Sequence, residues 1–97
     1  MRLRFTPRAT QDLIEIADYF KERNPAASSR VRTAILNSLQ SLTLFPEGGR
    51  RQTVNDVRKL VTRQYRYIVY YSIERAAEEI IVITIQHPAR KREHDDA

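Results

Sequence analysis

Three runs rich in Val, Ile and Tyr dominate the second half of the chain: Val57 to Thr62, Tyr65 to Ile73, and Ile80 to Gln86. β-Branched and aromatic side chains fit a half-buried pleated surface, so each run reads as a strand. The gaps between them, Arg63-Gln64 and Glu74 to Glu79, are too short for a crossover, which takes about a dozen residues. Consecutive strands must therefore pair as antiparallel hairpins. Whatever precedes Val57 has to cover this sheet.

The first half supplies that cover. Arg2-Leu3-Arg4-Phe5 alternates with period two and reads as a short edge strand. Thr6-Pro7 offers an N-cap followed by the proline favoured in a first turn. Leu13, Ile16, Ala17 and Phe20 then recur at helical spacing along one stripe. Asn24-Pro25 ends this helix and opens another, whose inward face is Ala27, Val31, Ile35, Leu39 and Leu42. Two amphipathic helices with almost no linker make a helical hairpin. Phe45-Pro46-Glu47-Gly48-Gly49 stops the second helix, the glycine pair being read as a place where the backbone takes angles closed to other residues. Arg50 to Thr53 reads as a loop. The expected class is α+β: an N-terminal edge strand, a two-helix hairpin, then a three-stranded antiparallel sheet. One domain is expected over residues 1–92, with a charged, frayed tail over 93–97.

Composition narrows the chemistry. Cysteine is absent, which rules out disulfides and thiolate metal sites, and with only His87 and His94 neither a metal nor a cofactor is expected. The N-terminus lacks an apolar leader and no run is long enough to span a bilayer, so a soluble, cytoplasmic protein is expected. The net charge of +5 is carried by fourteen Arg against three Lys. Arginine's planar fork suits carboxylates and phosphates, so the partner should be anionic. The cations gather at Arg50, Arg51, Arg58, Lys59, Arg63 and Arg66, whereas the first helix carries Asp12, Glu15, Asp18 and Glu22.

Strand parity assigns faces. In the middle run Tyr65, Tyr67, Val69, Tyr71 and Ile73 should meet the helices, leaving Arg66, Ile68, Tyr70 and Ser72 on the other side. In the last run both sets are apolar, Ile81, Ile83 and Ile85 against Ile80 and Val82, which reads as a strand covered on both faces. One helical hairpin covers one face only. An exposed apolar surface for a partner is expected on the other. Arg58 shares parity with Leu60, so it should snorkel or pair with Asp12, Glu15 or Asp18.

The order strand, helix, helix, three antiparallel strands resembles the RelE/ParE superfamily of toxins from bacterial type II toxin–antitoxin systems. The resemblance rests on Phe45-Pro46 with Gly49-Arg50, on Val57-Arg58-Lys59-Leu60, on Tyr65-Arg66-Tyr67-Ile68-Val69-Tyr70, and on Ile83-Thr84-Ile85-Gln86-His87 followed by Arg90. It spans residues 1–92. It implies a toxin silenced in a hetero-oligomer by a cognate antitoxin, whose acidic amphipathic C-terminal segment folds along the toxin. It also implies one of two targets. The ParE-like branch poisons DNA gyrase without being a nuclease; the RelE-like branch cleaves mRNA on the ribosome. A third possibility is a non-toxic module that only pairs with an antitoxin.

Cleavage of RNA through its own 2′-hydroxyl needs a proton acceptor, a proton donor and positive charge on the phosphate. Arg66, His87, Arg90 and Lys59 are the candidates, with Glu47 as an assistant. RelE-like nucleases tend to carry alternating lysines where this chain has Val57 and Lys59, so one lysine is missing. No aromatic residue follows Tyr71, so the C-terminal tyrosine of some nuclease members has no counterpart. This incomplete set favours a ParE-like gyrase inhibitor over an enzyme. Arg50, Arg51, Arg58, Arg66, Ile68, Tyr70 and Arg90 are the expected contacts to antitoxin or target.

Overall fold

The computed structural model describes residues 1–53 and 56–88, so the tail and Arg90 lie outside the described residues. Strand β1 (Arg2–Phe5) leads into helices α1 (Pro7–Arg23) and α2 (Pro25–Leu44). A single 3-10 turn (Pro46–Gly48) follows, then β2 (Arg50–Arg51), β3 (Val57–Val61), β4 (Ile68–Glu74) and β5 (Glu79–Gln86). The five strands form one sheet in the order β1-β5-β4-β3-β2. Strand β1 runs parallel to β5, and the other pairs are antiparallel. The α+β architecture is the expected one, with Arg50-Arg51 forming a short outer strand where the sequence predicts a loop.

Both helix starts form as their sequences dictate. The Thr6 hydroxyl oxygen accepts from the Ala9 amide at 3.0 Å and donates to the Ile83 carbonyl at 2.7 Å, so one side chain caps α1 and ties it to β5. Asn24 accepts from the Ala27 amide through its side chain, and its own amide donates to the Phe20 carbonyl. It closes α1 and opens α2. Helix α2 is the central cover: Ala27, Val31, Ile35, Leu39 and Leu42 are all buried, and the last four share one cluster with Val69, Tyr71, Ile80, Val82 and Ile85. Each of the larger side chains contributes about 1.5–3 kcal/mol of burial. Helix α1 is more peripheral, with only Ala9 fully buried and Leu13, Ile16 and Phe20 packed at the margin.

Two sequence readings of the sheet need correcting. The middle strand starts at Ile68, because Tyr65 and Arg66 adopt left-handed angles (φ 65° and 53°) and cannot continue a strand. Tyr65, expected against the helices, is instead 42% exposed. Thr62 closes the longer turn. Its amide donates to the Tyr67 carbonyl, and its hydroxyl oxygen accepts from the Tyr67 amide and donates to the Gln64 carbonyl.

The second correction concerns β5. Tyr70 pairs with Thr84 and Tyr71 with Val82, which leaves Ile83 as an extra residue in a bulge. The bulge swaps parity. Ile80 and Val82 before it and Ile85 after it are therefore all within 3% of complete burial. The doubly apolar pattern comes largely from this switch. Where β1 ends, Asp12 of α1 takes over the edge of β5. Its carboxylate accepts from the Thr84 hydroxyl at 2.6 Å and the Ile85 amide at 2.9 Å.

Neither glycine of the Phe45–Gly49 stretch has a positive φ, contrary to the conformational reading of that pair. Gly49 is needed for space: a Cβ there would lie 2.6 Å from the Tyr71 ring and hydroxyl and 3.0 Å from the Lys59 carbonyl. The Tyr71 hydroxyl accepts from the Gly49 amide at 2.8 Å and donates to the Pro46 carbonyl at 2.7 Å. Tyr71→Phe keeps the ring and strands both backbone groups, so it is expected to cost about 1–3 kcal/mol with an unchanged urea m-value. A loss under about 0.5 kcal/mol in urea unfolding would mean that solvent replaces the hydroxyl.

Candidate functional site

The register sorts the cationic side chains onto two faces. Arg50 lies opposite Lys59, and Lys59 opposite Tyr70, so these three form a row across β2, β3 and β4 on the face away from the helices. Arg51 lies opposite Arg58, and Arg58 opposite Tyr71, on the helix side. The acidic partner expected for Arg58 is not on α1. Its Nη1 donates instead to the carbonyls of Gly49 at 2.9 Å and Glu47 at 3.4 Å. Asp12 is already engaged by Thr84, Ile85 and Arg8. Arg58 therefore helps Tyr71 hold the turn after α2.

Arg66 projects from the β3–β4 turn, exposed together with Arg63 and Tyr65. Consecutive left-handed angles at two non-glycine residues are strained, a cost kept only where surrounding contacts enforce it. Ile68 is 3% exposed, so it does not lie on the accessible surface, and Tyr70 is half-buried. The exposed apolar side chains are elsewhere: Leu44 (76%) and Phe45 (69%) at the end of α2, Val61 on β3, and Ile14 and Tyr19 on α1.

His87 follows β5 and stands edge-on to the Tyr67 ring at 5.4 Å, with Tyr19 at 6.4 Å on another side. Tyr19 in turn packs edge-on to Phe20, and the Arg23 guanidinium sits 3.9 Å over its ring. This aromatic cluster was not anticipated from sequence. The spacing of Tyr19 and Arg23, one helical turn apart, was its only readable sign. Strands β3 and β5 are two strand spacings apart, roughly 10 Å, and His87 is three residues past the residue opposite Tyr70, roughly another 10 Å. The Cα atoms of Lys59 and His87 are therefore roughly 14 Å apart, with Lys59 on the open face and His87 against Tyr67. The arrangement offers a cationic row beside a phenol, and a separate packed histidine.

Residues 3–92 match the family described as ParE toxin of type II toxin–antitoxin system, parDE. The chain belongs to this family of toxins. Among its relatives, the toxin candidate Y4kP of Sinorhizobium fredii is 34% identical over 86 residues, covering 89% of this chain and 86% of that one. Toxin RelE2 of Caulobacter vibrioides is 33% identical over 87 residues, covering 89% and 93%. A structure of the chromosomal ParDE toxin–antitoxin system of P. aeruginosa superposes with a TM-score of 0.76 at 22% identity, over 90% of this chain and 95% of that one. At that identity the likeness speaks for the fold. Among the described residues of this ParE-family chain, no helix is long and apolar enough to cross a membrane.

Burial pushes the Tyr67 hydroxyl up to about 12, with the neighbouring Tyr19 and Tyr65 hydroxyls adding to the shift. Burial also raises Tyr71; the Gly49 amide and the Arg58 charge pull it partly back, and Glu47 adds to the rise. An unfolded tyrosine ionises near pH 10, so above that pH the unfolded chain releases protons that the folded one keeps. The contribution of Tyr67 to stability is complete below about pH 10 and is lost as pH climbs through about 12, and that of Tyr71 is lost in the same direction. Chemical denaturation at stepped pH should show this fall. It should shrink in Tyr67→Phe; an equal fall in that variant would place the burial effect elsewhere.

Proposed function

We propose that this ParE-family toxin acts by poisoning DNA gyrase and that a cognate antitoxin silences it. The observation that carries the target reading is the wide separation of Lys59 from His87, with the His87 ring taken up by Tyr67 and Tyr19. General acid–base work needs its groups within hydrogen-bond reach of one reacting centre. Val57 replaces the second strand lysine, which further weakens a nucleolytic reading. Arg90, the remaining nuclease candidate, lies outside the described residues. The match to the ParE toxin family supports the same side, while the RelE2 relative keeps ribosome-dependent mRNA cleavage as the competing reading.

The antitoxin reading draws support from surface chemistry. Strand β2 is two residues long and its register with β3 ends at Lys59, which leaves the backbone of Val61 without a strand partner on that side. Val61 is 43% exposed there, and Arg50, Arg63 and Arg66 stand on either side along the chain. An acidic amphipathic segment could add its backbone to this edge while its carboxylates meet the arginines.

Purified toxin with gyrase, ATP and supercoiled plasmid should yield gyrase-dependent double-strand breaks. Folded toxin that arrests growth but leaves gyrase untouched would overturn the target reading in favour of mRNA cleavage. For the partner, Arg50→Glu with Arg66→Glu is expected to weaken antitoxin binding by tenfold or more, about 1.4 kcal/mol, and to flatten its salt dependence. Unchanged affinity in titration calorimetry would remove this patch from the interface.

A further inference from the structure

A polar pocket of about 250 Å³ opens on the helix side of the sheet, at the end opposite the Arg66 turn. Arg51, Arg58 and Arg75 line it together with Glu47 and Asp56. Its feature in need of explanation is the Arg51–Arg58 pair. These residues are directly opposite in the β2–β3 ladder. The amide of Gln52 donates to the Val57 carbonyl, so the Arg51–Arg58 position is a non-hydrogen-bonded one, where Cα atoms approach to roughly 4.5 Å. Like charges at such a position oppose strand pairing.

Among the described residues no ion pair relieves that repulsion. Neither arginine belongs to any of the ion pairs, and Glu47 is committed to Arg75 at 2.6 Å. Arg58 is held in place by its Nη1 bonds to Gly49 and Glu47 carbonyls, which leaves Nε and Nη2 unengaged by described residues. Arg51 is exposed beside it. Three guanidinium groups against two carboxylates leave a positive surplus centred on the Arg51–Arg58 pair. Guanidinium forks match phosphate oxygens in pairs, and a tetrahedral oxyanion can accept from more than one fork at once.

We propose that this pocket binds a phosphate-type oxyanion between Arg51 and Arg58, with the Arg75–Glu47 bridge as its far wall. The site is on the opposite face from the Arg50–Lys59–Tyr70 row and does not depend on the gyrase or antitoxin reading. Its volume leaves room for the organic part of a small phosphomonoester.

The test is thermal unfolding of the full chain in inorganic phosphate against chloride of equal ionic strength, with adenosine 5′-monophosphate as a second probe. At tenfold its dissociation constant, phosphate should raise Tm by about 6–11 °C beyond chloride. Arg51→Gln should lose most of that shift, yet melt no lower than the parent in dilute chloride, because the substitution relieves the repulsion. Arg50→Gln, across the sheet, should keep the shift. Tighter response to the monophosphate would identify a phosphomonoester ligand, and response to inorganic phosphate alone a free anion. Equal effects of phosphate and chloride on the parent, or equal losses in Arg50→Gln and Arg51→Gln, would overturn the proposal.

Discussion

The hydroxyl of Tyr71 joins the two halves of this molecule. It reaches from the middle of the sheet to the turn after α2, accepting from the Gly49 amide and donating to the Pro46 carbonyl. A chain that leaves a long helix and must turn into an edge strand exposes several backbone groups at a buried corner, and each would cost free energy unpaired. One phenol satisfies two of them, and Arg58 takes the Gly49 and Glu47 carbonyls. The contact is close enough to forbid any side chain at position 49. The placement of β2, and hence of both arginine faces, follows from this corner.

The opposite edge of the sheet is managed differently. Strand β1 pairs with β5 only as far as Val82, after which the bulge at Ile83 turns the strand and exposes new backbone donors. Thr6 and Asp12, from the start of α1, meet the Ile83 carbonyl and the Ile85 amide. An edge that would otherwise invite strand addition is closed by helix side chains. The β3 edge beyond Lys59 has no such cover among the described residues, which is where a partner's backbone has access.

The chemistry divides along the same geometry. Because side chains alternate across a strand, neighbouring Arg50 and Arg51 serve opposite faces. One joins Lys59 and Tyr70 on the open face; the other joins Arg58 in a pocket beneath the turn. His87 belongs to neither group. It stands in an aromatic cluster with Tyr67 and Tyr19.

Much of this was legible in the chain. Local signals determined the helices: Thr6-Pro7 and Asn24-Pro25 as caps, and Ala27, Val31, Ile35, Leu39 and Leu42 as the buried face of α2, since capping and periodicity act within a turn or two. Short gaps between β-rich runs determined antiparallel pairing. Motifs in order were enough to place the chain among the ParE and RelE toxins. Tertiary structure decided what depends on register and close approach. The bulge at Ile83 regrouped the β5 isoleucines, since one extra residue inverts every later side chain. The left-handed turn at Tyr65-Arg66 shortened β4, and no local pattern announces such angles outside Gly, Asn and Asp. Gly49 answers to the Tyr71 ring twenty-two residues away, and Arg58 to carbonyls across the β2–β3 ladder; neither distance is written in sequence spacing.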